Sequence, residues 1–406
     1  MTKKQQKPSN PVIDTLLAQG VRIPHPESVY VAPEIRPERI AAGVTLHPGC
    51  RLLGAETSVG PDSSLGEETP ATINDCRLGR GVRFAGGFAA GATFMDRVTL
   101  GSAAHIRPGT ILEEEASAGH AVGLKQTILL PFVTLGSLVN FCDCLMAGGA
   151  SRKNHSEVGS SYVHFNYTPN RDKATPSLFG DVPRGVMLDQ PPIFLGGQGG
   201  TVGPIRVEFG TLVPAGTILR KDTPAKTQPA TASPGPINNY RAGYKAIDRV
   251  IRNNLAYIGN LRALQAWYRH VRKPCLSGDT FRTALWQGAM AQLESAILER
   301  LSRLKELAGK LSEELCDEQP ATSLPESIRT QHRQLVREWP GMEEALADTA
   351  RFEGEPMRRD KFLSALPAGG DYLAVIRGLP HSDRAEGTAW LQGIVTAAIA
   401  LWKTND

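Results

Sequence analysis

A left-handed parallel β-helix followed by a helical region is the fold class this sequence predicts, and three observations predict it. Apolar residues recur at every sixth position, as Phe88, Phe94, Leu100, Ile106, Leu112, Ala118, Leu124 and Leu130. Glycine and proline are abundant, 41 and 29 of 406 residues, and lie mainly before residue 236. Beyond residue 239 the apolar step changes to three and four. A period of six belongs to neither a helix nor a simple strand. It suits a triangular solenoid in which each hexad supplies one short strand, with an aliphatic residue turned inward and small residues at the corners. A β-sandwich would not hold one apolar residue at every sixth place through eight successive positions.

The elements follow in order. Residues 1–38 read as an arm: a short helix over Val12 to Gly20, then extended chain held by Pro24, Pro26, Pro33 and Pro37. Residues 39–222 are the solenoid. Ile40, Leu46 and Leu52 start the six-residue step, and Val207, Val213 and Leu219 resume it. Between about 137 and 200 the step is lost, which predicts coils with extruded loops, chiefly over 145–200, the usual site of a binding face in solenoids. GGQGG at 196–200 lacks the Gly-Lys-Ser/Thr continuation of a nucleotide loop and reads as a turn. Residues 223–238 are a linker by composition, and 239–406 a helical domain. There Tyr244, Ile247, Ile251, Leu255, Ile258, Leu261, Leu264, Tyr268 and Val271 mark one helix, and Met290 to Leu315 a second, as in a helical hairpin.

Several classes are excluded. The six cysteines, at 50, 76, 142, 144, 275 and 316, form no zinc-type spacing, so no metal site is expected. The amino terminus has no apolar stretch of the signal-peptide kind, and no run approaches membrane-spanning length, so a cytoplasmic protein without a membrane partner is expected. A net charge of +4 is too small to argue for nucleic acid. The helix from Arg241 to Lys273 carries eight basic residues against Asp248 alone. A solvated face, balanced by the acidic run from Glu313 to Glu318, is the expected reading; a nucleic-acid surface is the alternative.

Two groups of residues could carry chemistry. Arg107 and Lys125 are 18 residues apart, one coil, which stacks both cations on one face as an anchor for phosphate. They could equally be two solvated surface charges. The segment from Arg152 to Arg184 holds Arg152, Lys153, His155, His164, Arg171, Lys173 and Arg184 against Glu157, Asp172 and Asp181. That mix suits an anionic ligand with a histidine as base, or a polar surface loop.

Residues 106 to 222 resemble the acetyltransferase half of the bifunctional bacterial enzyme that makes UDP-N-acetylglucosamine. The resemblance runs through Arg107-Pro108-Gly109, Lys125 one coil later, Asn166-Tyr167, and the closing coils from Val202 to Asp222. It implies a homotrimer with acetyl-CoA or another acyl-CoA and a sugar phosphate or sugar nucleotide bound between subunits. By the same resemblance Arg107 and Lys125 hold the phosphate region and Asn166-Tyr167 opens the sugar loop; in an acyltransferase Lys173 would join the phosphate site and Asn166 would contact the sugar. Two departures stand out. The family's catalytic histidine follows a glycine twelve residues after the lysine, and here that place reads Gly136-Ser137. The nucleotide loop of the uridyltransferase half is missing, which argues against pyrophosphorylase chemistry. The whole chain also resembles a group of bacterial pyrophosphorylase-related proteins. Two functions follow: an acyltransferase with His155 or His164 as base, or a non-catalytic sugar-nucleotide sensor or scaffold.

Overall fold

The computed structural model describes residues 11–167, 172–227, 244, 246–316, 324–367 and 369–403. The expected parallel β-helix of about ten turns is the architecture, with a helical region after it. Helix α1 (Pro11–Ala18) precedes the first coil. Each coil then lays one strand on each of three faces. In one coil Ala104–Ile106 lies on face 1, Thr110–Leu112 on face 3 and Ser117–Ala118 on face 2, and Gly123–Leu129 opens the next coil. Strands pair in parallel with the coil before and after: His105 faces Phe88 and Gly123, and Thr99 faces Arg83 and Ser117. A bridge from Val207 to Thr223 extends the stack.

The six-residue step names the inward residues from Phe94 to Leu124, all buried. At its two ends the structure corrects it. Phe88 points outward against His105, and Ala89 fills the core beside Ile106. Leu112 pairs with Leu129 rather than Leu130, because this coil has 17 residues where its predecessor, His105 to Gly123, has 18. Through 137–200 the coils continue. Asn140–Met146 pairs with Gly123–Leu129 below and with Val163–Phe165 and Ser177–Phe179 above. The extruded loop is the antiparallel hairpin of Gly149–Ser151 and Asn154–His155, and a single turn, α2 (Val182–Gly185), follows later. The linker at 223–238 falls largely outside the described residues.

The helices are α3 (Ile247–Trp267), α4 (Thr280–Cys316), α5 (Glu326–Ala347), α6 (Pro356–Ser364), α7 (Tyr372–Gly378) and α8 (His381–Ile399). They follow the solenoid in sequence but pack back on its third face. There the outward residues Thr93, Ile111, Ile128, Leu145 and Leu178 are all buried, which an uncovered sheet would not allow. Contact is close: a Cβ on Gly288 of α4 would lie 2.6 Å from Thr93 Oγ1. Side-chain amides of α3 satisfy the solenoid backbone. Asn260 Oδ1 accepts from Val182 N at 2.7 Å, and Asn254 Nδ2 donates to Ala174 O at 2.9 Å.

This docking corrects the reading of the basic helix. Arg262 and Arg272 are buried rather than solvated, and their partners are not the acids near Glu313. Arg262 donates to Leu346 O and Gln265 Oε1, with Glu294 at 3.6 Å, while Arg272 pairs with Glu114 of the solenoid and lies 3.7 Å over the Tyr372 ring. Arg269 and His270 share Glu353. Five residues, Tyr268–Arg272, wind as one π-turn, and Tyr268 donates its hydroxyl to Glu113 Oε1 at 2.7 Å.

Burial pushes the Glu113 carboxyl up to about 7 against the pull of Arg272, with Glu114 adding to the rise. The unfolded value is near 4.5. Between these values the native state keeps a proton that the unfolded chain has released. Stability therefore falls as pH rises through that window. Glu113→Gln is expected to remove this slope, so that the variant gains on the wild type at pH 8 but not at pH 4.5. Urea midpoints at the two pH values check it; an equal difference at both would contradict it.

Candidate ligand-binding corner

The residues to follow lie at corners, where the chain leaves one face for the next. Arg107-Pro108-Gly109 turns the chain from face 1 to face 3. Gly109 has φ +80°, and a Cβ there would come within 2.4 Å of the Gln126 side chain, so the turn beside Arg107 needs glycine. One coil on, Lys125 stands directly above: Arg107 N donates to Leu124 O at 2.8 Å. Cys142 pairs with Lys125 in the next coil, and Asp143 follows it. The coil after that brings Val163 beside Asn140, which carries Phe165 and Asn166 to the same corner. Arg107, Lys125, Cys142 and Asn166 thus climb one edge at strand spacing, about 4.8 Å per step and about 14 Å in all.

Both cations on this edge are half-buried, and among the described residues neither forms an ion pair. Arg107 Nη2 donates only to Cys142 Sγ, at 3.4 Å, and its Nε is buried without a partner. Burial pushes the Cys142 thiol up despite Arg107 and Lys125, so the sulfur is neutral and does not cancel the guanidinium charge. Donors left in this state favour an oxyanion. Asn166 Nδ2 donates to Asp143 Oδ2 at 3.1 Å, and Tyr167 is exposed. Lys173 is exposed, across residues 168–171, which lie outside the described residues together with Arg171.

Helix α4 runs up the same edge. Gln292 Oε1 accepts from Gly109 N at 2.8 Å, and Arg300 Nη2 donates to Asp143 Oδ1 at 2.8 Å. Although burial opposes it, Arg303, with Arg300 and Lys125, holds the Glu299 carboxyl below the usual carboxylate range. One side of the edge is therefore walled by a helix, and the other opens onto face 1, where His105 and Asn140 are exposed.

The two histidines proposed as bases are not brought to this corner. His155 ends the hairpin at the corner between faces 3 and 2, with its Nδ1 buried and unpaired. Arg152 of the same hairpin donates to Glu115 O, Phe132 O and Thr134 Oγ1, so it closes that corner. His164 points into the coil, 3% exposed, with Nε2 at 2.8 Å from Ser177 Oγ. Burial lowers it to about 4, so it is a neutral core group at physiological pH. Arg184 pairs with Asp181 and Glu208 and lies over the Phe209 ring.

Ser137, at the corner between faces 2 and 1, has its Oγ 2.8 Å from Nδ1 of His120 in the preceding coil. Four residues here escaped the sequence reading. His105 lies two residues before Arg107 and so on the same side of the strand, and Asp143 lies one coil after Gln126; both signals were available. The His120–Ser137 contact required the 17-residue coil length, and Arg300 required the docking of α4.

No protein-family model matches the chain. It is similar to the bifunctional protein GlmU of Nocardia farcinica, 29% identical over 213 residues, 52% of this chain and 38% of that protein. The GlmU of Pelobacter propionicus is 27% identical over 220 residues, 54% of this chain and 43% of that protein. The solenoid chain is hexapeptide-repeat and acetyltransferase-like. It spans less than half the length of these two relatives. Among solved structures, LpxA of Acinetobacter baumannii overlaps 67% of this chain and 96% of its own, at 12% identity and a TM-score of 0.23. The perosamine N-acetyltransferase of Caulobacter crescentus overlaps 46% of this chain and 65% of its own, at 15% identity and a TM-score of 0.12. At those scores the superpositions carry no argument of their own. No described helix is long and apolar enough to cross a membrane.

Proposed function

We propose that the chain binds a sugar phosphate or sugar nucleotide of the UDP-N-acetylglucosamine type along the corner between faces 1 and 3. One observation carries the reading: Arg107 and Lys125 stand on adjacent coils, and among the described residues neither forms an ion pair. Phosphate meets this pair. The sugar lies toward Asn166, Tyr167 and Lys173, within the ~14 Å of the edge. The exposed apolar residues Tyr30, Leu138, Phe194, Leu212 and Ile218, on the uncovered faces and their shared corner, support a homotrimer as the working unit.

The acceptor would take an acyl group from acetyl-CoA or another acyl-CoA, which is a substrate here. Transfer needs a base within reach of the acceptor. His155 stands at the corner between faces 3 and 2, off face 1, and His164 inside the coil, so we assign that role to His120, at the far edge of face 1. It borders the same strand of face 1 as Lys125, five residues away and within ~17 Å at full extension. Ser137 orients its ring and leaves Nε2 toward solvent. The second reading, a sugar-nucleotide-binding protein without transfer, is favoured by the positions of His155 and His164.

A thermal-shift screen with UDP-N-acetylglucosamine, glucosamine 1-phosphate and acetyl-CoA separates the two, followed by a free-thiol assay for released CoA. Stabilisation by both substrate classes with thiol release supports the transferase. Stabilisation by sugar ligands alone supports the binding protein. No shift with any sugar ligand contradicts both.

A further inference from the structure

Asp143 lies at the middle of the edge and is only 4% exposed. Its two oxygens take different partners. Oδ2 takes the Asn166 amide at 3.1 Å, and Oδ1 takes Arg300 Nη2 at 2.8 Å. Arg300 itself is 1% exposed, and its Nη1 donates to the main-chain oxygen of Lys173 at 3.2 Å. One guanidinium on α4 therefore reaches both Asn166, by way of Asp143, and Lys173. It does so through two separate bonds, one by way of a carboxylate and one to backbone. The fork of arginine donors is needed for this, since a lysine ammonium is a point charge that cannot hold both acceptors in fixed geometry. An isolated guanidinium at this depth would be costly, and the Asp143 partnership makes it tolerable.

We propose that Arg300 is a positioning residue for the sugar end of the ligand. Through Asp143 it holds the Asn166 amide, and it holds the Lys173 carbonyl directly. The helical region thereby takes part in sugar recognition while leaving the phosphate anchor of Arg107 and Lys125 to the solenoid. This inference rests on the proposed sugar-nucleotide site and assigns its sugar half to a contact between two parts of the chain.

The test compares UDP-N-acetylglucosamine with UDP, which has the phosphates but not the sugar, by calorimetric titration of the full-length protein. The variants are Arg300→Met, Arg300→Lys, Asn166→Ala and the double variant Asp143→Asn with Arg300→Met. The double variant removes the buried charge pair together, so it keeps the test open where Arg300→Met alone fails to fold. The wild type is expected to prefer UDP-N-acetylglucosamine. Arg300→Met, the double variant and Asn166→Ala are expected to lose about tenfold of that preference, the size of one hydrogen bond, with UDP affinity unchanged within about twofold. Arg300→Lys, which keeps the charge but only one of the two bonds, should fall between. A folded double variant with the wild-type preference overturns the proposal, as does a wild type that binds UDP and its sugar derivative equally. If the wild type binds neither ligand, the functional reading has failed as well; if it binds both and the preference survives in the variants, only this inference has failed.

Discussion

Arg272→Met is expected to lower the stability of the folded chain by about 3–5 kcal/mol, the usual cost of leaving one member of a buried ion pair uncompensated. Arg272 is wholly buried and its partner Glu114 is only 9% exposed in its side chain. The substitution also removes the cation from the Tyr372 ring. Charge accounts for most of the loss, so Glu114→Gln added to Arg272→Met should recover much of it, because a neutral amide is far cheaper to bury than a carboxylate. Urea unfolding of the two variants checks this. A double variant no more stable than the single one would show that packing, not the uncompensated charge, dominates. Because the pair joins the solenoid to the π-turn after α3, loss of Arg272 should loosen the helices on face 3 first.

Arg107→Ala with Lys125→Ala is expected to weaken binding of UDP-N-acetylglucosamine by at least about 100-fold, with little change in stability. Each cation offers charge-assisted hydrogen bonds to phosphate, typically about 1.5–3 kcal/mol apiece, and 1.4 kcal/mol is a factor of ten. Among the described residues neither side chain forms an ion pair, and Lys125 acts on Glu299 only at longer range, so the fold loses little. Two solvated cations with no ligand, the alternative reading of the same pair, would give no change in affinity. Calorimetric titration of the double variant decides between these outcomes.

The solenoid was legible because its cause is local. An inward aliphatic residue at every sixth place is a direct requirement of a three-sided coil, and it holds from Phe94 to Leu124. It failed where the coil length changed from 18 to 17, since a one-residue deletion leaves the composition intact but puts Leu129, not Leu130, opposite Leu112, although Leu130 stays buried. The stacking of Arg107 under Lys125 followed from the same period. What could not be read was anything set by docking between distant segments. Asn253, Asn254 and Asn260 look like a polar helix face, yet they are buried because they bond to the solenoid backbone. Arg272 in the π-turn looks solvated for the same reason, as its acid, Glu114, lies 158 residues earlier in the chain. His164 was singled out as a base by residue type; the strand's alternation, which turns it inward between Val163 and Phe165, makes it a core group instead.

A crystal structure of the complex with UDP-N-acetylglucosamine tests the proposed site most directly. Diphosphate oxygens within hydrogen-bond distance of Arg107 and Lys125, with the sugar against Asn166, is the result expected. A ligand held anywhere else, such as the cavity lined by Arg97, Arg272 and Arg282, or a complex in which this corner stays empty, would contradict it.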